Sequence, residues 1–432
     1  LQVLLRCTMF VVTNTLALGA PVTPAKDFPA MALLDGHDGI LGNLMKLAPQ
    51  ALGKAMPSLD IPGFGAPESA ALIETTAFGD NPGNLRMLSY VPDALPAGAP
   101  LVVVLHGCTQ TAAEYDRGTG WSTLAERFGF ALLLPEQRRA NNANLCFDWF
   151  QPEDITRGSG EAASVAAMVN AMIDTHRLQR QRVYVTGLSA GGGMTAALLA
   201  TYPDIFAGGA VIAGLPFGSA SNIPEAFGVM GQGRVRSPQE LGDRVRAASS
   251  HRGPWPTVSI WQGTSDTTVN PVNAEELRKQ WANVHGVTDA APIQSTVDGA
   301  AHREWQAADG RAVVETYVIN GLGHATPIDP NAADEDAQCG DTSASRFILP
   351  AGISSTYRIA ESWGLIGRRR TARQPANAGR PEKTAPRTPA WQDFLPGGRQ
   401  QTQDAATQRA DAASLVAKVL RSVGLVKDGT KG

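Results

Sequence analysis

The stretch Arg182–Ala200, RVYVTGLSAGGGMTAALLA, constrains this chain more than any other. Val183, Tyr184, Val185 and Thr186 form a short β-branched run that reads as a strand. The chain then turns through Gly187-Leu188-Ser189-Ala190-Gly191 and enters an Ala- and Leu-rich run that reads as a buried helix. Strand, tight G-x-S-x-G turn and helix together make a nucleophile elbow. The serine of such an elbow sits in strained backbone, so small flanking residues let neighbouring chain pass close. The turn also sets the hydroxyl at a helix N-terminus, where free N–H groups favour a developing oxyanion. In a chain with 45 glycines a lone G-x-S-x-G also fits a bare turn, so the question is whether catalytic partners follow in order.

They do. A serine nucleophile needs a base to take its proton and an acid to fix the base's tautomer. Asp266 follows the strand-like run Thr257–Trp261, and His324 follows the run Val313–Ile319. The order Ser, Asp, His, each after a strand, is that of an α/β-hydrolase triad, and parallel strands present their C-terminal ends at one edge. Of the seven histidines only His324 has this placement after the serine; His285 and His302 fall on or near helices and turns and are expected at the surface. An oxyanion hole needs two backbone N–H groups aimed at one point. Ala190, next to the nucleophile, offers one, and Cys108 in the loop after Leu101–Leu105 offers the other, with His106 shaping that loop. No H-E-x-x-H and no clustered Cys/His occurs, so the expectation is no metal and no cofactor.

Five segments in order, LHGCTQ, CFDWF, GLSAGGGMT, GTSDTTVNP and GLGHA, resemble the PHB-depolymerase esterases, which are similar to feruloyl and acetylxylan esterases. The resemblance spans about residues 70–366. It implies a serine esterase acting on poly(3-hydroxybutyrate)-type polyesters or short hydroxyalkanoate esters, with Ser189, Asp266 and His324 as triad and Cys108 and Ala190 as oxyanion donors. It also implies that Trp149 lines the substrate crevice. A feruloyl or acetylxylan esterase is the alternative within the fold, and a non-enzymatic granule-surface binding protein the alternative outside it. Secreted polymer-degrading members carry a linker and a separate polymer-binding domain. Here the tail is a linker with one short helix, and the long acidic segment after His324 is expected to wall the crevice.

Strands alternating with helices indicate a mostly parallel sheet wrapped on both faces. Leu101–Leu105, LVVVL, reads as a central strand, ALIETTAF (71–78) and LRMLSYVP (85–92) read as an opening hairpin, and Val313–Ile319 reads as the last strand. Residues 214–256 form a long Gly- and Pro-broken excursion with one helix, near Pro238–Ala248. The reading divides the chain into a leader and arm (1–68), an α/β-hydrolase domain (69–366), and a basic Pro/Ala-rich linker with a terminal helix (367–432). Residues 28–56 carry Leu and Met at helical spacing, as a packing arm or a surface-binding element. With 432 residues, 43% hydrophobic and net charge −3, the composition is globular and makes no electrostatic case for nucleic acid. No apolar run is long enough for a transmembrane segment.

Four cysteines, Cys7, Cys108, Cys146 and Cys339, are too few for a disulfide scaffold. In the α/β-hydrolase order the strands before Cys108 and Cys146 are neighbours, so a Cys108–Cys146 disulfide is expected; the alternative is two thiols that only pack. Arg6 and the apolar stretch ending at Ala20 or Ala25 have the outline of a signal peptide, interrupted by Thr13-Asn14-Thr15. The reading leans to an extracellular or periplasmic enzyme, with a cytoplasmic one as the alternative.

Overall fold

The run Leu101–Leu105 has no polar position, so neither of its faces tolerates water. In the computed structural model of the protein, which describes residues 72–366, Leu101, Val103 and Leu105 enter one hydrophobic cluster and Val102 and Val104 another. The strand divides two cores, and each fully buried Leu or Val contributes about 1.5–3 kcal/mol.

The strands are β1 (Ile73–Thr75), β2 (Arg86–Tyr90), β3 (Leu101–Leu105), β4 (Ala131–Glu136), β5 (Val183–Leu188), β6 (Gly208–Ile212), β7 (Thr257–Gly263), β8 (Ile293–Val297), β9 (Ala300–Gln306), β10 (Ala312–Ile319), β11 (Thr326–Ile328) and β12 (Ile348–Pro350). Ten of them form one sheet in the order β1-β2-β4-β3-β5-β6-β7-β10-β9-β8. The run from β4 to β10 is parallel, and the pairs at either end are antiparallel. The helices are α1 (Ala112–Thr119), α2 (Trp121–Phe128), α3 (Pro152–Ile155), α4 (Gly160–His176), α5 (Ala190–Thr201), α6 (Ile223–Gln232), α7 (Pro238–Ala247), α8 (Val272–Val284) and α9 (Ser355–Ser362). Apolar residues of α4, α5 and α8 join the core of Val103, and those of α1, α2 and α9 join the core of Val102. This is an α/β-hydrolase sheet with helices on both faces.

The structure departs from the sequence reading in four places. The excursion 214–256 holds two helices; α6, unexpected because Gly228 and Gly231 interrupt its pattern, is capped by Asn222, whose side chain accepts from the Glu225 N–H. The run Val313–Ile319 is not the last strand: β11 and β12 follow as a short parallel pair. The hairpin β8–β9 was also not anticipated. It turns at Asp298-Gly299, both at positive φ (47° and 83°), the Asp-Gly turn whose twist suits antiparallel strands. The two histidines expected at the surface are not there. His302 sits in β9, buried, between Ser295 Oγ (2.9 Å) and Glu315 Oε2 (3.2 Å). His285 is half-buried against the Pro256 carbonyl, and that burial lowers its pKa to about 4.

The expected leader, arm, Cys7, basic linker and terminal helix lie outside the described residues. Among the described residues no helix is long and apolar enough to cross a membrane.

Candidate active site

The elbow is built by close backbone passage. Ser189 takes φ 58° and ψ −116° between β5 and α5, and its N–H donates to Ile212 O at the end of β6. A Cβ on Gly187 would lie 2.5 Å from the Gly191 backbone. A Cβ on Gly191 would lie 2.5 Å from Leu105 O and 2.6 Å from His106 O. Both glycines of G-L-S-A-G are therefore required by contact, not only by the turn. Helix α5 is buried on every side, which is why it carries no polar stripe. Ser189 is 7% exposed.

Asp266 and His324 stand together at the same edge. His324 Nδ1 donates to Asp266 Oδ2 at 2.8 Å. The other carboxylate oxygen accepts the Thr268 and Val269 N–H groups, each at 2.8 Å, and Gln262 Nε2 reaches Oδ2 at 3.1 Å. Four donors thus hold this carboxylate in place, and it holds the imidazole. The two loops are also tied through backbone: Ser265 N–H donates to Leu322 O. Phe347 meets the His324 ring edge-on, 6.0 Å between centroids. Ser189 stands on this edge because Ile212 O, which accepts its N–H, ends the strand beside β7.

The loop after β3 is over-determined. Gly107 N–H donates to Gln110 Oε1, and Thr109 N–H to Asn144 O. His106 is fully buried; its Nδ1 faces Gly107 O at 2.8 Å and its Nε2 accepts the Gln137 N–H at 3.2 Å. One ring nitrogen must donate and the other accept, so the ring is neutral, and burial lowers its pKa in agreement. The Cys108–Cys146 disulfide is present and joins this loop to the loop after β4. Among the described residues nothing accepts the Cys108 or Ala190 N–H.

Trp149 is 5% exposed and packs beneath the elbow, where a Cβ on Gly193 would lie within 3.0 Å of its ring atoms. Phe150 lies edge-on beside it. The acidic segment after His324 is spent largely on anchoring: Asp334 accepts from Tyr357, and Asp336 and Asp341 pair with Arg127 and Arg117. The chain just beyond it returns to the site, through Phe347 and through Ser345, which accepts from Gln110 Nε2. Sequence reading missed Gln110, Gln137, Gln262 and Phe347. Gln110 lay in the quoted LHGCTQ segment, while the others carry no local signal because they act across the fold. A cavity of about 470 Å³ beside Thr257, Ala312 and Arg358 lies at the opposite, amino-terminal ends of β7 and β10. Its His302, Glu315 and Arg358 already pair within the protein.

The family model described as esterase PHB depolymerase matches residues 86–306. Poly(3-hydroxyalkanoate) depolymerase C of Paucimonas lemoignei is 47% identical over 69% of this chain and 71% of its own length. Feruloyl esterase B of Thermothelomyces thermophilus is 37% identical over 60% of this chain and 90% of its own. Among solved structures, an acetyl xylan esterase from Aspergillus awamori superposes with a TM-score of 0.57 at 27% identity, covering 68% of this chain and all of that one.

Proposed function

Since the chain belongs to the esterase PHB depolymerase family of ester hydrolases, we propose that it cleaves aliphatic polyesters of the poly(3-hydroxybutyrate) type, or short hydroxyalkanoate esters, through an acyl-enzyme on Ser189. The observation that carries this reading is the Asp266–His324 hydrogen bond of 2.8 Å at the edge where the elbow presents Ser189. Asp266 fixes the proton on His324 Nδ1 and leaves Nε2 as the base. Ser189 Oγ attacks the ester carbonyl as His324 Nε2 takes its proton. The oxyanion that forms accepts from the Cys108 and Ala190 N–H groups, and His324 returns the proton to the departing alcohol. Water then repeats the sequence on the acyl-enzyme. Trp149 supports the elbow and offers the substrate only a narrow edge. No metal or cofactor enters any step of this scheme.

The polyester reading is favoured by the 47% identity to a poly(3-hydroxyalkanoate) depolymerase, and the carbohydrate-side reading by the match to nearly the whole of a feruloyl esterase. A panel of polyester film, short p-nitrophenyl esters and methyl ferulate tests the proposal. Release of hydroxyacids from film is the expected result. Methyl ferulate as the best substrate, with film untouched, would move the chain to the carbohydrate esterases. No turnover and no fluorophosphonate labelling would return it to a granule-binding role.

A further inference from the structure

Beside the proposed oxyanion loop lies a group of acids for which ester hydrolysis has no direct use. Asp148, Asp154 and Glu161 bring their carboxylate oxygens within 4.8 Å of one another, and Glu161 is 1% exposed. Glu161 opens α4 and reaches both sides of the loop. One oxygen accepts the Asp148 N–H at 2.9 Å, and the other accepts the Gln137 side-chain amide. That amide also donates to Cys146 O at 3.0 Å, while the Gln137 backbone N–H donates to His106 Nε2. Two routes therefore connect Glu161 to Cys108. One passes through Gln137 and His106, and the other through Asp148, Cys146 and the disulfide.

We propose that Glu161 is a positioning residue for the oxyanion loop, its carboxyl packed against two other acids and clamping that loop from both sides. The proposal rests on the reading of the Cys108 N–H as an oxyanion donor.

Three carboxyl groups this close cannot all ionise without mutual repulsion unless a cation intervenes. Among the described residues none of the three is ion-paired with a Lys, Arg or His. Helix α5, packed against α4, has no ionisable side chain. Asp80, on the turn that packs on α4 at Gly83, is exposed, and Glu153 beside Asp154 adds a further negative charge. On the β4 side Glu136 is paired with Arg86, Arg138 acts on Glu74, and His106 stands neutral behind Gln137. Arg157, after α3, is committed to Asp204. Burial first, then Asp148 and Asp154, push Glu161 well above its ordinary pKa. Burial and Asp154 raise Asp148 to about 6, and burial raises Asp154.

The sign of the effect follows. A carboxyl whose folded pKa exceeds its unfolded one stabilises fully below the unfolded value, here 4.5 for Glu161, and loses that contribution as pH rises through the folded value. Raising the pH through that folded value should therefore loosen the loop after β4 and displace the Cys108 N–H. An oxyanion donor acts in the transition state, so the loss belongs to kcat and not to KM.

The test is the pH profile of kcat and KM on a short soluble ester for the full chain, Glu161→Gln and Asp154→Asn. For the parent, kcat should fall by about tenfold as the pH rises through the folded pKa of Glu161, a high-pH limb with KM nearly constant. Glu161→Gln should lower kcat several-fold near neutrality and abolish the high-pH fall, because it has no proton to lose. Asp154→Asn removes one repelling charge, so the fall should become shallower and its midpoint should move to lower pH. Should Glu161→Gln not fold, the half-exposed Asp154→Asn decides alone. A parent without the high-pH fall, or variants that only lose thermal stability and keep the parent's profile, overturns the clamp. A Ser189→Ala control keeps the two readings apart. If it is active, the proposed site is wrong. If it is inactive and the profiles do not move, only the clamp is wrong.

Discussion

Asp266 receives four hydrogen bonds, and only one of them comes from His324. An asparagine there keeps the shape but turns an amide toward donors and leaves the imidazole in the wrong tautomer. Asp266→Asn should lower kcat by about 10⁴, short of the loss on the order of 10⁶ for Ser189→Ala, with KM little changed in both. Steady-state kinetics on a p-nitrophenyl ester read this; a silent Asp266→Asn beside a crippled neighbouring aspartate would reassign the acid. Gly191 yields a second residue-scale prediction. Its Cβ would meet two backbone oxygens at 2.5 and 2.6 Å, and backbone cannot rotate away as a side chain can. Gly191→Ala should cost about 1–3 kcal/mol of stability by overpacking and displace the elbow, seen as a lower melting temperature with a large fall in kcat. That Ser189, Asp266 and His324 each stand in a loop after a strand was legible in the sequence. The four donors on Asp266 were not, since Gln262 reaches it from inside β7.

Among the elements, those with strong local signals were readable before the structure. Helix α4, Gly160–His176, buries Ala162, Val165, Val169 and Met172 at helical spacing, and β5 and α5 lie where the elbow motif required. The hairpin β8–β9 escaped because four of the five β8 residues are exposed and only its Asp-Gly turn marks it. Such edge strands bury too little to impose an alternating pattern. The disulfide acts at this scale, since it joins two loops that follow adjacent parallel strands. It closes 38 residues of chain, which in the chain-entropy account stabilises by about 4 kcal/mol. Reduction, or Cys108→Ser with Cys146→Ser, should lower the melting temperature. It should also lower kcat more than tenfold if the Cys108 N–H moves, since a lost donor costs about 3 kcal/mol of barrier. The check is thermal unfolding with and without reductant, followed by kinetics; unchanged kcat would separate the bridge from the oxyanion loop.

At the scale of the molecule, we propose that residues 69–366 form the catalytic unit, with the flanking segments outside it. Both hydrophobic cores draw on residues spread across the described segment, and Leu365 and Ile366, at its end, are buried. A chain trimmed to 69–366 should fold and hydrolyse soluble esters within about threefold of the full protein; insoluble product or lost turnover would show that a flank belongs to the catalytic body. The division between what could and could not be read beforehand follows from where each signal is stored. By itself the sequence determined the fold class, the placement of Ser189, Asp266 and His324 in loops after strands of one sheet, and the two cysteines that meet. These depend on short-range patterns: apolar runs without polar interruption, glycines around one serine, and polar residues directly after strands. Only the tertiary structure decided that His302 and His285 are withdrawn from the surface, that Trp149 lies under the elbow, and that Glu161 joins Asp148 and Asp154 beside the loops that the disulfide ties. Those are contacts between segments distant in sequence, and burial and mutual distance, which set the charge and the work of such groups, exist only once the chain has closed.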